Sequence, residues 1–152
     1  MSRQVVNVLG FSSNENQFVV KSQNFSVKIS NQITNSNLET PNPLEYLLSG
    51  IAGSINATGQ IVAKELNMDL KSIQVEISGE LESKKFEGEK TRSRAGLRTI
   101  EVVIKPTSDA SLTLLKQWMD LVKERCPVYD NLINNTPVSI SLVKDYFQQN
   151  VA

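Results

Sequence analysis

The sequence predicts an α+β protein of one domain, and three observations carry that expectation. Two segments alternate strictly between apolar and polar residues, two others repeat apolar residues at helical spacing, and no linker or internal repeat divides the 152 residues. A chain of this length buries about two-thirds of its unfolded surface, enough for one ordinary core. The domain is therefore expected to span 1–152.

The first forty residues hold three short β-prone runs, Gln4 to Leu9, Gln17 to Lys21 and Asn24 to Ile29, parted by Ser- and Asn-rich turn material. They read as a small antiparallel meander. Ile33 to Asn42 is polar loop chemistry, and it ends with Asn42 as N-cap and Pro43 at the first helical position. A long helix follows from Leu44 to about Asn67, with Leu47, Leu48, Ile51, Ile55, Val62 and Leu66 at helical spacing. Gly50, Gly53 and Gly59 each cost it roughly 0.8–1 kcal/mol relative to alanine, so something must approach its backbone closely in return. A partner helix or a second subunit would supply that approach, which marks the helix as buried and central.

Lys71 to Glu82 alternates, with Ile73, Val75, Ile77 and Leu81 on one face, and Leu97 to Lys105 does the same with Ile100, Val102 and Ile104. The two read as half-buried strands of a long hairpin. Ser83 to Gly96 between them carries Lys84, Lys85, Lys90, Arg92 and Arg94 against Glu87 and Glu89. With Phe86 as its one aromatic residue, this connector reads as a solvated tip rather than a nucleic-acid patch.

A second helix is expected from Ser108 or Asp109 as N-cap to about Arg125, amphipathic through Leu112, Leu115, Met119 and Val122. Leu114, Trp118 and Leu121 widen its apolar face, and Trp118 reads as packing rather than a ligand platform. Cys126-Pro127 breaks it. Pro127 to Ile133 then forms a short helix closed by Asn134 and Asn135, and Val138 to Val143 reads as a final strand.

Composition narrows the function. Lys plus Arg equals Asp plus Glu at 16 each, so no net field gathers phosphates or an anionic membrane surface, and nucleic-acid and membrane partners are not expected. The N-terminus offers Arg3 but no signal-peptide core, and the apolar stretch from Leu47 to Val62 is interrupted by Ser49, Ser54, Asn56, Thr58 and Gln60. A cytoplasmic location follows. One cysteine, Cys126, precludes an intramolecular disulfide. Histidine is absent, which removes Ser-His and Cys-His nucleophile pairs and the common zinc sites. No Asp-rich loop resembles a calcium site, so neither metal nor cofactor is expected.

Two motifs then carry a resemblance. Asn42-Pro43-Leu44-Glu45-Tyr46-Leu47-Leu48-Ser49-Gly50-Ile51-Ala52-Gly53-Ser54 opens the long helix, and Glu124-Arg125-Cys126-Pro127-Val128-Tyr129 ends the amphipathic one. In these motifs and in element order the chain resembles the OsmC/Ohr family of organic-hydroperoxide reductases. The resemblance implies an intertwined homodimer, antiparallel sheets wrapped around a long central helix, and two active sites built from both subunits. In that family a cysteine in the first motif attacks the peroxide and the cysteine of the second resolves the sulfenic acid into a disulfide.

Here the first position is Ser54. A serine hydroxyl gives neither an accessible anion nor a reversible sulfenic acid, so two-cysteine turnover is unavailable. The family's thiolate-holding arginine also lacks a counterpart, since Arg3 is the one arginine before residue 92 and Lys21 or Lys28 would replace its charge but not its fork. Glu45 matches the family's acidic partner, while Leu44 occupies the alternative position for it.

Each candidate also has a plain structural role. Cys126, at a helix start beside Arg125, is either a reactive thiol or a small buried hydrophobe. Ser54 has no base within reach, Lys64 being ten residues along the same helix, and its hydroxyl is expected to bond back to a helical carbonyl. Glu45 suits a first helical turn whatever the chemistry. Tyr46 and Tyr129 would line a pocket between the motifs or simply pack their rings. The sequence thus supports a family member without peroxidase activity that binds a small hydrophobic molecule at the dimer cleft. The alternative is a one-cysteine thiol peroxidase that uses Cys126 on an organic hydroperoxide with an external thiol reductant.

Overall fold

The computed structural model describes residues 3–12, 17–32 and 40–144. Its element order is β1 (Leu9–Ser12), β2 (Gln17–Lys21), β3 (Ser26–Ser30), α1 (Pro43–Glu65), β4 (Leu70–Glu80), β5 (Thr99–Ser108), α2 (Leu112–Arg125) and α3 (Pro127–Ile133). This is the expected α+β arrangement.

The strands β1, β2 and β3 form an antiparallel sheet in that order, the expected meander. Its first strand is displaced: Gln4 to Val8 carries no regular structure and pairing begins at Leu9, opposite Lys21. Val5, Val6 and Val8 are largely exposed, so the apolar run has the composition of a strand without a neighbouring edge to pair with. Most of the loop expected over 33–42 lies outside the described residues.

Helix α1 begins as its sequence dictates. Asn42 stands in extended geometry, its Oδ1 accepts the Glu45 backbone N–H at 2.8 Å, and Pro43 follows at the first helical position. The helix ends in a Schellman motif around Asn67, whose φ of 51° is left-handed. The Met68 N–H reaches the Ala63 carbonyl at 2.8 Å and the Asn67 N–H reaches Lys64 at 3.2 Å.

Strands β4 and β5 form the expected hairpin, in register from Ser72 opposite Thr107 to Glu80 opposite Thr99. Strand β5 runs three residues beyond the expected Lys105, and this moves the start of α2. Neither Ser108 nor Asp109 caps that helix; Ser108 still pairs with Leu70, and Asp109 binds Lys71 at 2.9 Å. Ser111 is the cap, its hydroxyl accepting the Leu114 N–H at 3.2 Å.

The core lies between α1, α2 and the inner face of the hairpin. Its buried members are Ile51, Ile55, Val62, Ala63, Met68, Trp118, Val122 and Cys126, with none from β1, β2 or β3. Trp118 seals the centre: it is 1% exposed, and its Nε1–H donates to the Gly59 carbonyl at 2.9 Å. A Cβ on Gly59 would lie 2.9 Å from the Trp118 ring and 3.0 Å from Ile73. The close approach required by this glycine therefore comes from the chain itself. Gly50 and Gly53, by contrast, have no such neighbour within 4 Å.

The final strand expected over Val138 to Val143 is not formed. Residues 135–144 carry no regular structure, and Val138, Ile140, Leu142 and Val143 are between 79% and 98% exposed. Their alternation has no partner strand within the described chain.

Candidate functional site

Ser54 sits midway along α1, one face of which is held against the core by Ile51, Ile55 and Thr58. Cys126 occupies the joint between α2 and α3. Its N–H closes α2 on the Val122 carbonyl at 2.9 Å, its own carbonyl accepts the Asp130 N–H at 3.0 Å, and Pro127 opens α3. Helix α1 packs against both α2 and α3, which brings the two motifs together.

The Ser54 Oγ and the Cys126 Sγ are 3.2 Å apart, across 72 residues of sequence. Ser54 is half-buried and Cys126 is 1% exposed. The expected bond from Ser54 to a helical carbonyl gives way to this contact, since the thiol lies within reach of the hydroxyl. Thr58 makes the back-bond instead, its hydroxyl donating to the Ser54 carbonyl at 2.8 Å.

The other candidates scatter. The Glu45 carboxylate accepts from the Asn42 Nδ2 at 2.9 Å, which completes a reciprocal cap at the start of α1. The Tyr46 hydroxyl donates to the Lys28 carbonyl at 3.0 Å and ties α1 to β3. Lys21 lies over the Phe11 ring, 5.4 Å from its centre. Tyr129 alone of the two tyrosines lines cavities.

Three hollows are lined by residues of the two motifs. An inner one of about 430 Å³ is walled by Ile55, Ile104, Met119, Val122, Cys126 and Tyr129, among others. A neighbouring hollow of about 480 Å³ shares Ile100, Val102 and Tyr129 with it and extends past Leu47 to Arg94 and Arg98. On the outer side, Ser54, Thr58, Arg125 and Pro127 line a cleft of about 280 Å³. Ser54 thus lines the outer cleft and Cys126 the inner cavity.

Arg125 is exposed and binds Glu65 bidentately, Nη2 to Oε1 at 3.0 Å and Nη1 to Oε2. The hydrogen bond from Arg125 holds the Glu65 carboxyl below the ordinary carboxylate range. Sequence reasoning treated Arg125 as a charge acting on Cys126 and did not see this partner. Arg94 is exposed, as the reading of a solvated tip has it, and it also borders an apolar hollow together with Arg98. The available signal was Leu97 and Ile100, apolar residues on either side of Arg98, the first of them three positions after Arg94. Among the described residues no group of His, Cys, Asp and Glu could hold a metal ion, and no helix is long and apolar enough to cross a membrane.

Comparison with known proteins adds to this geometry. A family model described as OsmC-like protein matches residues 33–141. An OsmC-like protein from Mycoplasma pneumoniae superposes with a TM-score of 0.76 at 21% identity, over 87% of this chain and 89% of that one. An organic hydroperoxide resistance protein OsmC from Legionella pneumophila gives 0.65 at 10%, over 87% and 91%. An organic hydroperoxide resistance protein from Elizabethkingia anophelis gives 0.64 at 12%, over 88% and 93%. No curated protein sequence matches the chain. At these identities the structural likeness speaks to fold.

Proposed function

Because the chain belongs to the OsmC-like protein family, we propose that it keeps the family's scaffold without two-cysteine peroxidase chemistry and binds a small hydrophobic molecule beside the site. One observation carries this reading: Ser54 and Cys126 stand at 3.2 Å, within contact of each other, with an oxygen where the family's first sulfur would be. The pair cannot form a disulfide or a sulfenic acid at position 54. Burial of Cys126 to 1% exposure weighs against the one-cysteine enzyme, whose thiol must meet both peroxide and reductant. The apolar hollows on its inner side supply room for a ligand.

The working form is a homodimer in the cytoplasm. Support comes from features that one chain leaves unfinished: a three-stranded sheet that adds nothing to the core, exposed apolar runs at Val5 to Val8 and Val138 to Val143, and a helix face at Gly50 and Gly53 with nothing against it. Light scattering at micromolar concentration should give twice the chain mass, and a monomer would refute the assembly.

The function is tested by consumption of cumene hydroperoxide with dithiothreitol. The native chain should show no turnover above background, and Ser54→Cys should gain it. Activity in the native chain that disappears in Cys126→Ser would establish the one-cysteine enzyme in its place.

A further inference from the structure

We draw no further inference here: the strongest candidate, the exposed basic connector between β4 and β5 with Lys84, Lys85, Lys90, Arg92 and Arg94 around Phe86, is offset in charge by Glu87 and Glu89 within it and by Glu80, Glu82 and Glu101 at its two roots, and nothing in the structure shows what covers it.

Discussion

The two halves of α1 carry the same kind of residue to different ends. Near its C-terminus, Gly59 is pressed by Trp118 and Ile73 so tightly that a methyl group would collide with them. Nearer the N-terminus, Gly50 and Gly53 face open space. One glycine is explained by the chain's own core, and the other two await something outside it. Small residues in a helix are therefore a signal of close approach only where the approaching group can be named.

The largest effect should come from removing the group that closes the C-terminal half. Trp118→Ala deletes a fully buried ring and the hydrogen bond to the Gly59 carbonyl, and should cost about 3–5 kcal/mol in chemical denaturation. Gly59→Ala sets an overpacking penalty of about 1–3 kcal/mol against a helix-propensity gain near 1. A net loss of about 0–2 kcal/mol is expected, and a gain would show that Trp118 yields easily. Gly53→Ala should do the reverse. At a protein concentration low enough for single chains it should raise stability by about 0.8–1 kcal/mol, while weakening self-association if a second copy uses that face.

The smallest effect concerns Glu65 and Arg125, which join the packed end of α1 to the end of α2. The Glu65 carboxyl is held below its ordinary range in the folded chain by the Arg125 hydrogen bond. Its contribution is therefore present above the unfolded pKa and is lost as pH falls through the folded one. Glu65→Gln should be slightly less stable than the native chain at neutral pH and indistinguishable from it in acid. A difference that persists at low pH would assign the effect to packing rather than charge.

Much of this division was legible from residue order. Strict alternation gave the β4–β5 hairpin, and Asn42-Pro43 placed the start of α1 because a side-chain cap and a fixed φ act locally. The two motifs also foretold which residues would meet, since Ser54 and Cys126 do touch. What escaped depended on partners far along the chain. Val138 to Val143 alternates as well as β4 does, yet a strand exists only where an edge receives it. The cap of α2 moved to Ser111 because β5 continued pairing to Ser108, a tertiary outcome that neither Ser108 nor Asp109 announces. Glu45 holds the first-turn place also read for it whatever the chemistry, and only its bond to the Asn42 side chain was not foreseen. Arg94 is exposed as read, but the hollow that it borders with Ile100 and Val102 of β5 was not foreseen.

The joint at Cys126 has a consequence for how such a site can change over time. The same residue terminates one helix and begins the next, so its position is surveyed from two directions, like a benchmark fixed by two sight lines. Drift in either helix is checked by the other. A chain built this way keeps Cys126 at a fixed address beside Ser54. The difference between this hydroxyl–thiol contact and an oxidisable pair is then one element of the periodic table at position 54, with no helix needing to be rebuilt.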